Sequence, residues 1–409
     1  MKEFFKVETI EEVLDYAGSF PVVGTETIPL SQVFGRVLAE DVVSDIDIPD
    51  FDRSTMDGFA VRAASTFGAS EANPAYLSIT GKVTMGSYPD FSVGSGQAAG
   101  ISTGGMLPEG TDSVLMVEHT DLLDDTTIEA YKSVAPGQNM IEKGEDVRKS
   151  EAILTRGSTV RPQEAGLIAA SGKEMVTVYK KPVLGIISTG DEIVPVKDVP
   201  GPGRIRDINS HTLYGQVLQA GGIPVTYGIV NDNYKALLQK CKKALDQSDM
   251  VLISGGSSVG ARDFTVEVLN AIEDTKIMVH GISISPGKPT ILAKSGQKAF
   301  WGLPGHVVSA MVVFAVVVKP FIHRISGAET DARKPISIPA RLTRNLASAQ
   351  GRVDFIRVRL EEKNGRLLAE PILGKSGLIN TMIKADGLIR IDMNTEGLEK
   401  GTIIPVMML

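Results

Sequence analysis

The chain has 409 residues and a single cysteine, Cys241. That length exceeds one hydrophobic core and calls for about three or four domains; the lone cysteine excludes a disulfide framework and a cysteine-rich zinc site. A formal charge of −7 argues against broad binding to nucleic acid or an anionic membrane, and the ordinary apolar content argues against wholesale disorder.

The N-terminal stretch MKEFFKVETIEEVLDYA is acidic and has no long apolar core, so a signal peptide is not expected and the chain is placed in the cytoplasm. Within it, Val7 to Tyr16 reads as a short amphipathic helix. Pro49, in DIDIPDFDRSTMDGFAVR, marks entry into a second unit. From Phe51 to Val134 short alternating runs such as AYLSITGKV and SVLMVEH predict a small β-rich domain. Next come GQNMIEKGEDVRKSEAIL and a helical RPQEAGLIAASG. From Lys181 the pattern changes. Apolar strands (PVLGIIS, IPVTYGIV, DMVLISGG) alternate with helices (HTLYGQVLQA, YKALLQKCKKALDQ, RDFTVEVLNAI), which predicts a doubly wound, mostly parallel α/β sheet. The apolar run Ala310 to Val318, ended by Lys319 and Pro320, is too short to span a bilayer and reads as a buried core helix. Beyond Lys334 the strands VDFIRVRL, GRLLAEPIL, LIRI and TIIPVMML predict a small β-barrel or sandwich.

In an open α/β sheet, ligands bind outside the carboxyl ends of the strands, so the residues after each strand carry the functional weight. Ser188-Thr189-Gly190-Asp191-Glu192 follows the first strand; it reads equally as a metal or ligand site and as a turn with helix caps. Asp232, after the second, offers a hard carboxylate ligand, although a lone Asp there reads more readily as an N-cap. The stretch Ser254-Gly255-Gly256-Ser257-Ser258-Val259-Gly260, followed by Asp263, is a glycine-rich loop suited to an anion at a helix start, and matches neither a Walker loop nor GxGxxG. Ser285-Pro286-Gly287-Lys288-Pro289-Thr290 is a stiff turn presenting one lysine. Gly302-Leu303-Pro304-Gly305-His306 closes the pocket wall. The GxSxG match at Gly100 to Gly104 is set aside, because no helix start follows the serine.

Taken in order, DRSTMDGFAVR, ISTGGMLPEGTDSVLMVE, KGEDV, STGDEIV, DINS, ISGGSSVGARDFT, PGKPT, GLPG and SGLINTMIKADGLI resemble the molybdopterin molybdenumtransferase family, MoeA and the gephyrin E-domain. The resemblance implies four domains: an elongated one from residues 1–48 and 139–180, a mobile β-rich one over 49–138, an adenylyltransferase-like α/β domain over 181–328, and a C-terminal β-barrel over 329–409. It implies a homodimer with sites between subunits, and a reaction of adenylylated molybdopterin with molybdate that needs Mg²⁺ and releases AMP. It extends to a molybdopterin adenylyltransferase as a partner enzyme.

On this resemblance Glu192, Asp232 and Asp263 hold Mg²⁺ and Lys288 attracts molybdate. Asp57, Asp146 and Thr103 reach the cleft from the other subunit. Ser188, Thr189, Asn209, Ser210, Gly255, Gly256, Ser257, Pro304, Gly305 and Ser376 contact the pterin substrate. Three positions depart from the family pattern: Ser285 where lysine is frequent, His306-Val307 where Asn-Pro is usual, and Ile141-Glu142-Lys143 where basic residues are common. Two of these remove positive charge near an anion site. Three alternatives stay open: tungstate insertion, a molybdopterin adenylyltransferase, and a pterin-binding scaffold without turnover.

Overall fold

The computed structural model describes residues 7–255, 264–329 and 337–409. The chain starts in helix α1 (Ile10–Asp15), where Thr9 and Glu12 form a reciprocal capping box that satisfies two amides otherwise left without partners. Three short antiparallel pairs then tie residues 25–54 to a much later stretch. Thr25–Pro29 pairs with Met175–Tyr179, Val42–Val43 with Ala152–Leu154, and Arg53–Ser54 with Met140–Ile141. Leu38, Val42, Val160, Ile168 and Val178 close a small core between these segments, with helix α2 (Pro162–Ala170) against it. α1 itself packs elsewhere: Ile10, Val13 and Phe20 join the core of the α/β sheet.

Between those two arms lies a six-stranded mixed sheet: β1 (Gly58–Val61), β2 (Ala75–Lys82), β3 (Gln97–Ile101), β4 (Ser113–Met116), β5 (Thr120–Asp124) and β6 (Thr127–Ala130), in the order β4-β1-β3-β2-β6-β5. Leu77, Ala98, Leu115 and Ile128 form its core. The turn after β3, which holds Ser102, leads into no helix, so the GxSxG match has no nucleophile elbow.

The central sheet contains β7 (Val183–Thr189), β8 (Ile223–Val230), β9 (Met250–Ser254), β10 (Thr275–His280), β11 (Ile291–Ser295) and β12 (Lys298–Leu303), ordered β8-β7-β9-β12-β11-β10. The first four in that order are mutually parallel; β11 runs against its neighbours. Helices α3 (Asn209–Gln219), α4 (Tyr234–Gln247) and α5 (Phe264–Ala271) make the crossovers. Strand alternation divides the core into two faces. Met250 and Leu252 of β9 point to α3, while Val251 and Ile253 point to α4 and α5. The sheet is thus doubly wound, and the chain order reverses at β7, the topological switch point.

Helix α6 (Val307–Ile325) corrects the short apolar run read from the sequence. It continues through Lys319 and Pro320 for 19 residues, long and apolar enough by length and composition alone to cross a membrane. A proline removes one helical hydrogen bond, and the turn just before it, Phe314–Val318, widens to a π-helix where the ladder is already interrupted. Burial in the core is as expected: Val308, Val312, Val313, Val317, Phe321 and Ile322 are fully enclosed.

The C-terminal unit is a closed five-stranded barrel of β13 (Ser337–Leu342), β14 (Val353–Lys363), β15 (Arg366–Pro371), β16 (Gly387–Ile391) and β17 (Ile403–Met408). The order β14-β15-β13-β17-β16 closes because β16 also pairs with β14. Its mouth is tied to the α/β unit by a two-residue parallel pairing, Ile284–Ser285 alongside Val353 and Asp354.

That pairing leads into the lysine turn, and Gly287 sets how closely the turn sits on α6. Its φ is +128°, and a Cβ there would lie 2.4 Å from Val313 Cγ2. Gly287→Ala is therefore expected to destabilise the fold by about 1–3 kcal/mol through overpacking and strain, read as a lower urea midpoint. An unchanged midpoint would show that the turn is free to lift away.

Candidate functional site

All five turns singled out from the sequence arrive at one edge of the central sheet. β7, β8, β9 and β12 deliver Thr189, Val230, Ser254 and Leu303 to their carboxyl ends. β11 is antiparallel, with Ile291 opposite Gly302, so the turn Pro286–Thr290 that precedes it reaches the same edge. Along that edge the order is Asn231 to Asn233, Ser188 to Glu192, Ser254-Gly255, Pro304-Gly305, then Lys288. Gly256, Ser257 and Asp263 lie outside the described residues.

The acidic end is built on β7 and β8. Thr189 Oγ1 donates to Asp232 Oδ1 at 3.2 Å, and the Asp232 amide donates to Asp191 Oδ1 at 3.1 Å. Asn233, not Asp232, caps α4: its side chain accepts from the Ala236 amide. The capping reading of Asp232 therefore fails, and its carboxylate is turned to the strand ends. No helix follows Ser188 to Glu192 either. The chain instead forms a short strand, Ile193–Val194, paired in parallel with Ile205–Arg206. Glu192 folds back, placing its carboxylate 2.8–2.9 Å from where a Cβ on Gly190 would be. Ser188 Oγ is buried and has no partner among the described residues.

Burial, then the charges of Asp191 and Glu192, push the Asp232 carboxyl above its ordinary value, against the opposing Thr189 hydrogen bond. Among the described residues, no three His, Cys, Asp or Glu side chains converge at metal-ligand spacing.

At the middle of the edge, Gly255 brings the backbone of β9 against that of β7. Its φ is +105°, and a Cβ would lie 2.2 Å from the Thr189 carbonyl oxygen. Asn209, the first residue of α3, donates through Nδ2 to Ser254 Oγ and to the Gly305 carbonyl at 2.8 Å. One amide thus joins α3, β9 and the Pro304-Gly305 turn. The Ser210 amide donates to Asp207 Oδ1 at 3.1 Å. Pro304 is buried in the wall.

The basic end holds Lys288. Its carbonyl accepts from the amides of Ile282 and Thr290, which leaves the exposed ammonium without an ion pair among the described residues. Three inter-strand steps of about 4.8 Å separate β7 from β11, so the acidic and basic ends stand about 14 Å apart. From the barrel, Ser376 meets the start of α6: its Oγ is 2.8 Å from His306 Nδ1, and its carbonyl accepts from the Val308 amide at 3.0 Å.

Arg357 escaped the sequence reading. Its buried guanidinium donates to Thr381 Oγ1 at 3.1 Å and to the Gly374 carbonyl at 2.9 Å, around the loop that carries Ser376. Burial lowers its pKa. The strand VDFIRVRL gave little signal: Arg357 alternates with the barrel-core residues Ile356, Val358 and Leu360 and shares its face with the exposed Arg359.

The β-rich sheet brings together two of its three expected residues. Asp57 Oδ1 accepts from the Thr103 amide at 2.7 Å and from Thr103 Oγ1 at 3.2 Å. Asp146 stands apart, its amide donating to the Ile48 carbonyl. No hydrogen bond or ion pair among the described residues links these three to the sheet edge of their own chain.

The raised pKa of Asp232 has a stability consequence whose sign is fixed. Its folded value lies above the unfolded one, so stability is lost as pH rises through that window. Asp232→Asn keeps an oxygen for Thr189 and removes the charge. It is expected to raise the melting temperature at pH 7 by about 1–3 °C, corresponding to less than about 1 kcal/mol after solvent screening. The gain should vanish below the ordinary Asp range. A gain independent of pH would point to packing rather than charge.

Comparison with known proteins agrees with this architecture. Residues 7–172 match the MoeA N-terminal region (domains I and II), residues 185–324 a probable molybdopterin-binding domain, and residues 339–409 the MoeA C-terminal region (domain IV). The chain is 36% identical over 391 residues to a putative molybdopterin biosynthesis protein of Methanocaldococcus jannaschii, covering 93% of this chain and 92% of that one. It is 32% identical over 389 residues to the molybdopterin molybdenumtransferase of Bacillus subtilis, covering 94% and 90%. A crystal structure of the molybdopterin biosynthesis MoeA protein from Pyrococcus horikoshii OT3 superposes with a TM-score of 0.82 at 31% identity, covering 99% of this chain and 100% of that one. With the two MoeA regions matched on either side of a molybdopterin-binding domain along one chain, the protein belongs to the MoeA family of molybdopterin molybdenumtransferases.

Proposed function

We propose that this chain is a molybdopterin molybdenumtransferase, which inserts molybdenum into molybdopterin during molybdenum cofactor biosynthesis. The observation that carries the reading is the polarity of the sheet edge. Carboxylates gather at β7 and β8, a lysine without an ion pair among the described residues stands about 14 Å away ahead of β11, and a glycine-lined strand end lies between them. An extended, phosphate-bearing substrate suits that span. Its phosphates need a cation beside the carboxylates, and an oxyanion is attracted to the lysine.

In this reading the substrate is adenylylated molybdopterin, and AMP is released as molybdenum enters at the dithiolene. Asp232 and Glu192 are hard oxygen donors of the kind Mg²⁺ takes, and a cation relieves the repulsion from Asp191 and Glu192 that adds to burial in raising Asp232. Mg²⁺, when bound, offsets charge developing on the phosphate oxygens. Asp263 completes this set on family resemblance. Thr189 orients Asp232. Asn209 holds the Ser254 and Gly305 strand ends in register around the substrate. Lys288 attracts molybdate, and Arg357 adds a buried positive charge beside the Ser376 loop.

We further propose that the working unit is a homodimer. Asp57 and Thr103 are exposed and joined to each other, and they complete the site of the opposite subunit. A molybdopterin adenylyltransferase supplies the substrate. The assignment to the cytoplasm rests on the biosynthetic role.

Mixing inactive variants tests the chemistry and the assembly together. Glu192→Gln and Asp57→Ala are each expected to lower Mg²⁺-dependent AMP release at least about a hundredfold, as for loss of a group at the reacting centre. Refolded together at equal amounts, they should recover about a quarter of the wild-type sites, because half the twofold dimers are mixed and each mixed dimer holds one intact site. Full activity in Glu192→Gln would overturn the site. Two inactive variants with no recovery on mixing would overturn the shared-site dimer.

A further inference from the structure

His306 stands at the start of α6, where the role normally open to a residue is helix capping. It occupies the N-cap of α6, with extended backbone angles of φ −71° and ψ 125°, yet its side chain makes no capping bond. The ring is committed elsewhere. Nδ1 lies 2.8 Å from the hydroxyl of Ser376, seventy residues on in the barrel. The carbonyl of the same serine accepts from the Val308 amide, one of the first-turn donors of α6 that have no partner within the helix. Ser376 is thus held at both its polar groups by the first turn of one helix. The preceding residue, Gly305, is fixed in turn by Asn209, which also holds Ser254. A continuous path of hydrogen bonds and one peptide link joins the Ser254 strand end to the barrel serine.

We infer that His306 is a positioning residue that sets the direction of the Ser376 hydroxyl toward an anionic group of the substrate. The inference rests on the reading of Ser376 as a ligand-facing residue. A serine hydroxyl has one proton to give. Where Nδ1 accepts it, the serine meets the ligand with lone pairs only, which repel a phosphate or an oxyanion. Where Nδ1 carries the proton and donates, the hydroxyl proton is free for the ligand. Binding of an anion therefore selects the Nδ1-protonated ring, and the imidazole acts as a switchable partner that asparagine, with a fixed amide, reproduces only in its donor orientation. The contact also draws the barrel loop against the sheet edge, so that Ser376 reaches the crevice from a separate unit.

A double-mutant cycle tests this with molybdopterin binding and the molybdate KM as readouts, kcat being measured alongside. Ser376→Ala and His306→Ala are each expected to weaken binding roughly five- to tenfold, the size of one neutral hydrogen bond. The double variant should be no weaker than Ser376→Ala, because the histidine acts only through the serine. His306→Asn should restore most of the loss in binding, read separately from any gain in melting temperature that asparagine brings over alanine as a helix cap. If Ser376→Ala binds as wild type does, the serine does not face the ligand and the site reading itself falls at that residue. If Ser376→Ala is weakened while His306→Ala is not, or if the two losses simply add, the positioning role is overturned and the site reading stands.

Discussion

Burial of helix α6 is the constraint on which the rest of the molecule depends. Its valines, Phe314, Phe321 and Ile322 fill one face of the central sheet together with Leu184, Met250, Leu252 and Trp301. The same cluster takes in Ile10 and Val13 from the N-terminal helix, Phe20 just after it, and Val353, Phe355 and Leu388 from the barrel. Each such side chain contributes about 1.5–3 kcal/mol when enclosed, so three parts of the chain share one source of stability. Trp301 and Phe321 meet edge to face at 4.9 Å, which fixes how the helix lies on the strand beneath it.

Because α6 is held so firmly, its first turn is a fixed reference for the site. Gly305, His306 and Val308 reach respectively to Asn209, the Ser376 hydroxyl and the Ser376 carbonyl. Close approach of backbones does the same work at two other points. Gly255 lets β9 end against the carbonyl of Thr189, and Gly287 lets the lysine turn lie on Val313. In both places a side chain would separate the elements that bring charge to the edge.

The charges themselves follow the strand order. The reversal at β7 puts the Asp232 turn on one side of the switch point and the Ser254, Pro304 and Lys288 turns on the other. Acidic and basic groups are therefore spread along a line rather than paired, and their separation is several strand spacings. A surface of this kind leaves its carboxylates in mutual repulsion, which adds to the burial that raises Asp232, and leaves its lysine without an ion pair among the described residues.

How much of this was readable beforehand depends on the range of the interaction involved. Periodicity and strand-end turns are local, so the alternating units from Lys181 onward, the barrel strands and the turns at Ser188, Asp232, Ser254, Lys288 and Pro304 were all legible from the chain itself. The rule that ligands gather at carboxyl strand ends places the Ser188, Asp232, Ser254 and Pro304 turns together; the Lys288 turn joins them because the strand after it runs antiparallel, which local pattern does not contain. What local pattern does not contain is which side chain satisfies which group across the fold. Asn233 rather than Asp232 caps α4, because only the packed turn decides which carbonyl oxygen faces the free amides. α6 runs on past Pro320, because the π turn and the surrounding core outweigh the helix-breaking tendency of a single proline. Arg357 and His306 looked like ordinary polar residues in sequence; Thr381 and Gly374 reach Arg357 only when the barrel's own loops close over β14, and Ser376 reaches His306 only when the barrel docks on the α/β unit. Sequence by itself determined the elements and the edge on which the chemistry lies. Tertiary structure decided the pairings within that edge, since a hydrogen bond is specific over about 3 Å and only the closed core brings residues so far apart in the chain to that distance.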